Sequence, residues 1–169
     1  MDHEHIIHPI SPFYDARSRI LILGSFPSVK SREQMFFYGH PQNRFWPLVA
    51  GIFGEKVPES VPEKKQLLLR CRIALWDTIY SCDIIGSGDS TIRNAVPTDL
   101  APVLAHSQIT RIFCNGQTSG KYYRKYQEKR LGITAEILPS TSPANAAWTM
   151  ERLKEAWRVI AEPEHQEIY

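Results

Sequence analysis

Between Tyr38 and Trp46 the chain gathers a phenol, an imidazole, a primary amide and a guanidinium, on Tyr38, His40, Asn43 and Arg44, within the run YGHPQNRFW. An amide does not titrate near neutrality, so Asn43 cannot act as an ordinary general base. It can accept a hydrogen bond from water and fix the direction of attack, or donate through its NH2 to a departing group. A purely structural alternative is that Asn43 caps the helix that follows. Phe45 and Trp46 have a plainer reading as the first apolar residues of that helix, where Phe45, Leu48, Val49 and Ile52 recur at helical spacing.

Other polar clusters follow short apolar runs. Gly24 to Ser28 (GSFPS) offers backbone N–H groups to an anion. It matches neither GxGxxG nor a P-loop, so an ordinary strand exit is the simpler reading. In LPSTSPAN, Leu138 to Asn145, Ser142 is a sound N-cap with Pro143 at the first helical position, and the same helix start is suited to a phosphate. Lys121, Arg124, Lys125, Lys129 and Arg130 interleave with Tyr122, Tyr123 and Tyr126. That pattern fits a nucleic-acid face, although a solvated helix surface is favoured. His3, His5 and His8 have no acidic or cysteine ligands gathered near them in sequence, and read as a terminal segment rather than a metal site.

The elements that must position these groups alternate in kind. Strands are expected at Arg19 to Gly24, Arg72 to Trp76, Arg111 to Cys114 and Thr134 to Leu138. Helices are expected after Arg44, after Thr98 as a cap, from Gly116 to Arg130 closed by Gly132, and from near Pro143 to Ile160. The last carries Ala147, Met150, Leu153, Trp157 and Ile160 on one stripe. The alternation predicts an α/β fold: a single three-layer α/β/α domain around a central four-stranded, mainly parallel sheet. Residues 1–18 would form an N-terminal segment, 19–160 the core and 161–169 a tail. Ligands of such sheets bind outside the carboxyl ends of the strands. There the tips at Gly24 to Ser28, Asp77-Thr78, Asn115-Gly116 and Pro139 to Asn145 would converge.

Bulk properties narrow the class further. The 169 residues, 43% hydrophobic and 22% charged, fit a globular chain of one domain. A net charge of +2 permits a polyanionic partner without arguing for one. Three scattered cysteines exclude a disulfide framework, a zinc knuckle and a four-thiolate cluster, and suit a reducing cytosol. No run approaches a membrane span, and MDHEHIIHPI lacks the features of a signal peptide, so the chain is expected to be cytoplasmic.

At these residues the sequence resembles the uracil-DNA glycosylase superfamily, in particular its mismatch-specific uracil/thymine branch and the related hypoxanthine-DNA (deoxyinosine) glycosylases. GSFPS stands where the superfamily has its first motif, Gly-x-Asn-Pro-Gly or Gly-x-Asp-Pro. HPQNRFW is similar to the His-Pro-x-Asn-x-Phe-Trp signature, and Pro139 to Pro143 to the second motif. The Asn115-Gly116 turn and the Gly86 to Ser90 loop also look like that branch, and the likeness runs from about Arg19 to Ile160.

The resemblance implies excision of deaminated bases flipped out of DNA, hypoxanthine first and uracil second, by a monofunctional, monomeric enzyme of base excision repair needing no metal or other cofactor. Phe26 replaces the usual motif-one Asn or Asp, and a phenyl ring cannot orient water. By the same resemblance Asn43 becomes the catalytic amide. Gly24, Ser25, Phe26, Tyr38, Asp77 and Asn115 would bind the base, with Tyr38 stacking on it and the Asp77 carboxylate accepting its ring N–H. Ser28, Ser140, Thr141, Ser142 and Pro143 would contact DNA, with Ala144 or Asn145 probing the vacated stack, and His40 would support charge on the base or serve structurally. The missing motif-one amide keeps open a non-catalytic nucleic-acid or nucleotide binder. An α/β hydrolase is disfavoured by the lack of G-x-S-x-G.

Overall fold

The computed structural model of the protein describes residues 2–163, so residues 164–169 of the expected tail lie outside the described residues. Strands β1 (Glu4–Ile7) and β2 (Ile20–Gly24) are followed by helices α1 (Val29–Gln34), α2 (Phe45–Phe53) and α3 (Val61–Cys71). Then come β3 (Ile73–Asp77), β4 (Ile79–Ile84), β5 (Arg93–Pro97), α4 (Ala101–Ala105) and β6 (Arg111–Asn115). Helices α5 (Gln117–Tyr126) and α6 (Glu128–Leu131), strand β7 (Ala135–Leu138) and helix α7 (Met150–Trp157) complete the set.

Strands β3-β2-β6-β7 form a wholly parallel sheet in that order. Alternate residues of β2 enter opposite cores, as a period of two requires. Ile20 and Ile22 pack with Phe45, Leu67, Phe113 and Trp157 under α2, α3 and α7, while Leu21 and Leu23 pack with Leu100, Val103 and Tyr123 under α4 and α5. Each such aliphatic side chain contributes about 1.5–3 kcal/mol on burial. The expected three layers and all four expected strands are present, each within a residue or two of its expected limits.

A second, antiparallel sheet, β1-β4-β5, was not expected. It grows directly out of the first: β3 passes through Thr78 into β4, whose first amide reaches back to the Ser25 carbonyl. The N-terminal segment supplies its β1 edge. Helix α3 also goes beyond the expected elements, although its Ser60 cap, accepting from Glu63 N–H, is a readable start signal.

Two expected helix starts are corrected. Thr98 does not cap α4; its hydroxyl donates to the Asp77 carbonyl at 2.7 Å, and Asp99 accepts the Ala101 N–H instead. The last helix begins at Met150 under a Thr149 cap, not near Pro143. The reason is Arg44, whose guanidinium collects the carbonyls of Ser142 at 2.9 Å, Asn145 at 3.0 Å and Trp148. In a helix starting at Pro143 the Asn145 and Trp148 carbonyls would accept from amides farther along; held by one side chain, residues 141–149 stay a folded turn. The helix expected from Gly116 to Arg130 also breaks at Gln127, which is buried and donates to the Thr98 carbonyl at 2.7 Å.

Candidate active site at the carboxyl edge of the parallel sheet

Parallel registers place Gly24 beside Asp77 and Asn115 beside Leu138, so the strand tips open on one cavity of ≈ 280 Å³. Its lining includes Ser25, Phe26, Ser28, Tyr38, Asn43, Asp77, Asn115 and the turn Ser140 to Ala144. Asn145 lines the adjoining hollow beyond Asn115 and Ser140. Gly24 lies just beneath: a Cβ there would stand 2.4 Å from Asp77 Oδ1 and 3.3 Å from the Tyr38 hydroxyl oxygen, so only glycine lets the three share this space.

One wall is acidic. Asp77 is buried, and its Oδ2 accepts from His8 Nε2 at 2.7 Å. Asp89, from the loop after β4, accepts the Ser25 hydroxyl at 2.9 Å. Although Asp89 as a residue is exposed, its carboxyl is drawn back onto Ser25. Partial desolvation raises its pKa above the usual carboxylate range, with Asp77 adding to the rise and hydrogen bonds from Ser25 and Thr118 opposing it. Among the described residues, no lysine or arginine lines the cavity.

The opposite wall is neutral and bonded to itself. Asn43 Oδ1 accepts the Phe45 N–H at 2.9 Å and the Thr141 hydroxyl at 2.8 Å. Phe45 N–H can only donate, which fixes the amide's orientation, fills both oxygen lone pairs and leaves the NH2 uncommitted to those bonds. The expected cap is present, set one residue further out than the α2 N-cap, but the oxygen it uses is no longer open to direct a water, and the nitrogen is what remains. Thr141 is fully buried; Asn115 accepts its N–H and donates to its hydroxyl, both at 3.0 Å. The Thr141 side chain, expected on DNA, is thus turned inward.

Tyr38 stands between the walls with a left-handed backbone, φ 53°. One ring face rests on Phe45, centroids 4.1 Å apart. Its hydroxyl is buried without a partner in hydrogen-bonding geometry. Burial pushes the phenol's pKa far up, Asp77 adds to this, and the nearby Asn115 amide opposes it, so the group stays a neutral O–H donor. The phenol proton is thus available to a group or a water entering the cavity. Phe26 closes the floor, edge-on to His8 at 5.7 Å.

At the rim, Ser140 Oγ accepts the Ser142 N–H and Ser142 Oγ accepts the Ala144 N–H, which leaves both hydroxyl protons uncommitted to those bonds. With no helix beginning at Pro143, the expected anion-holding helix terminus there is absent. Ser28 caps α1, with its hydroxyl engaged on Ser31. His40 Nδ1 accepts the Gln42 N–H at 3.1 Å, so in the neutral ring Nε2 carries the proton. His8, Arg44 and Asp89 shape the site without having been in the expected set. His3, His5 and His8 bond separately to the Thr91 carbonyl, Asp83 and Asp77.

A parallel sheet with this cavity at its carboxyl edge places the chain in a known class: it belongs to the uracil DNA glycosylase superfamily, whose family model matches residues 11–162. More particularly, it is 34% identical over 148 residues to a hypoxanthine DNA glycosylase of Methanosarcina acetivorans, covering 86% of this chain and 92% of that protein. A hypoxanthine DNA glycosylase of Methanosarcina barkeri is 31% identical over 153 residues, with the same two coverages. A solution NMR structure from M. acetivorans, provisionally assigned as a uracil DNA glycosylase, superposes with a TM-score of 0.78 at 31% identity, covering 92% of this chain and 98% of that one.

Proposed function

We propose that the protein is a monofunctional DNA glycosylase of base excision repair, hydrolysing the N-glycosidic bond of a deaminated base flipped out of DNA, hypoxanthine first and uracil second. Family membership and the named relatives support the class. The observation that carries the site assignment is Asn43: its oxygen is tied down by Phe45 and Thr141, and its NH2 is the group left for a ligand in a cavity whose motif-one position is Phe26.

The flipped base lies against Tyr38 with Phe26 as a second apolar wall. Asp77 accepts the N1–H of hypoxanthine or the N3–H of uracil. Adenine's bare N1 brings no proton to that carboxylate, and an unmet buried acceptor rejects it. As the C1′–N bond breaks, the base gains negative charge and the sugar positive. Asn43 donates its N–H to the leaving base, and an ionised Asp77 favours the sugar cation. Water bonds to C1′ and its proton passes to the base or to solvent, giving free base and an abasic sugar. With the Asn43 oxygen filled, Asp89 is the acceptor at the mouth to which we assign that water. Ser140 and Ser142 hydroxyls hold phosphates by neutral donation, Ser28 meets the DNA through its backbone because its hydroxyl is engaged on Ser31, Pro143 lies against the DNA backbone, and Ala144 and Asn145 probe the gap in the duplex. The hydrolysis calls on no cofactor.

DNA is the partner. No helix among the described residues is long and apolar enough to cross a membrane. We place the enzyme in the cytoplasm beside its DNA, working as a monomer.

Oligonucleotides carrying deoxyinosine, deoxyuridine, or G·U and G·T mispairs test the proposal. Wild type should leave alkali-labile abasic sites at deoxyinosine, and Asn43→Ala should be slower by about 10²–10³-fold, the loss typical of one transition-state donor. No product from any substrate sinks the enzyme reading, and salt-dependent binding to damaged duplex without base release would point to a binder instead.

A further inference from the structure

His8 comes from the N-terminal segment, yet it is buried against a cavity residue far along the chain. Its Nε2 lies 2.7 Å from Asp77 Oδ2, and the two side chains are only 1% and 5% exposed. Its Nδ1 faces the Ile10 N–H at 3.1 Å. That N–H can only donate, so Nδ1 is bare and Nε2 carries the ring proton. The ring cannot turn to exchange these partners. It is boxed by Phe26, Phe37 and Trp76 at 5.7, 6.4 and 6.2 Å, and its backbone N–H is tied to the Tyr80 carbonyl at 2.7 Å. The Ile10 carbonyl in turn accepts from Trp76 Nε1 at 3.2 Å.

The consequence falls on the other carboxylate oxygen. With Oδ2 committed to an imidazole N–H, Asp77 is held as an acceptor, and Oδ1 is left on the Gly24 side, where a Cβ would meet it at 2.4 Å. We infer that His8 is a positioning residue that sets base specificity: it fixes Asp77 in the orientation that accepts a ring N–H, so that bases presenting a proton at that place are taken and those presenting a bare nitrogen are refused. This rests on the proposed excision of deaminated bases. An Asp77 carboxyl free to rotate, or to carry a proton itself, would accept from one base and donate to the next, and the discrimination would fade.

Three variants and one spectrum test this. His8→Phe keeps the ring packing and removes the donor. His8→Gln places an amide N–H near the position of Nε2. Single-turnover excision is measured on deoxyinosine and on the deoxynucleoside of unsubstituted purine, whose N1 is bare. Wild type should favour hypoxanthine; His8→Phe should lower that ratio by about tenfold or more, the scale of a hydrogen bond to a charged group. His8→Gln should restore most of the ratio. Gly24→Ala, which crowds Oδ1 without touching His8, should lower it as well.

If wild type releases no hypoxanthine, the functional reading itself fails. If wild type is active and folded His8→Phe keeps the wild-type ratio, the role of His8 alone is overturned. Should His8→Phe not fold, the ¹⁵N spectrum of wild-type histidines carries the test. The expected result is a bare Nδ1, a protonated Nε2, and an Nε2 resonance that shifts on binding DNA with non-hydrolysable 2′-fluoro-deoxyinosine. A protonated Nδ1, or a resonance indifferent to that DNA, overturns the inference.

Discussion

The two walls of the cavity are built on opposite plans. The wall of Asp77 and Asp89 is acidic, Asp77 taking its donor from His8 and Asp89 from Ser25 and Thr118. The wall of Asn43, Thr141 and Asn115 is neutral, a closed circuit of amides and a hydroxyl, backed by Arg44 and its carbonyls. On the proposed mechanism the acidic wall works through charge and the identity of the proton it meets, and the neutral wall through placement, its members also bonding the fold to itself. Substitutions should therefore divide: on the neutral wall stability and activity fall together, and on the acidic wall activity falls alone.

The sharpest test is Arg44→Ala, which releases the carbonyls of Ser142, Asn145 and Trp148. We expect a loss of about 3 kcal/mol, from several charge-assisted bonds at a half-buried site, and a fall in Tm of roughly 6–12 °C by thermal denaturation. A melting curve unchanged from wild type would break the comparison. Asp77→Asn should cut excision of hypoxanthine by about a hundredfold while moving Tm by a few degrees at most, since the amide oxygen still accepts from His8. Thr141→Val keeps shape and removes the hydroxyl shared by Asn43 and Asn115. It should lower stability by about 1–2 kcal/mol and excision by about tenfold, measured on the same preparation. Activity lost with stability intact would move Thr141 to the other class.

Asp89→Asn gives the smallest effect and the only one whose sign depends on pH. The folded state raises the carboxyl's pKa, so the native protein prefers it protonated. That preference stabilises in acid and is lost as pH rises through the folded pKa. The neutral amide should therefore leave Tm unchanged in acid and raise it slightly at neutrality, with excision reduced. A mutant less stable than wild type at neutral pH would show that Asp89 is held by its partners more than it is strained.

The parallel sheet was legible because its signals are local: short aliphatic runs each ending in small polar residues. The cavity could be placed for the same reason, since a parallel sheet brings its carboxyl ends to one edge whatever lies between them. What escaped depends on distant partners. Four residues of β1 are too few for a period to declare itself, and a histidine with no near ligand looks idle until Asp77, 69 residues on, is folded against it. The turn before α7 has every mark of a helix start at Ser142 and Pro143, and is overruled by an arginine about a hundred residues earlier. Asn43 was assigned by likeness to a motif, and only the folded circuit separates its oxygen from its nitrogen.

The unbroken passage from β3 into β4 bears on how the site withstands heat. The Thr78 and Ile79 amides bond back to the Gly24 and Ser25 carbonyls at 2.9 and 3.0 Å, directly beneath the cavity, and are buried with the core. Amides buried and bonded in this way open with free energies that approach that of the whole fold. The floor of the site therefore belongs to the most persistent part of the molecule, and on warming, the capacity to hold a base should disappear together with the fold rather than ahead of it.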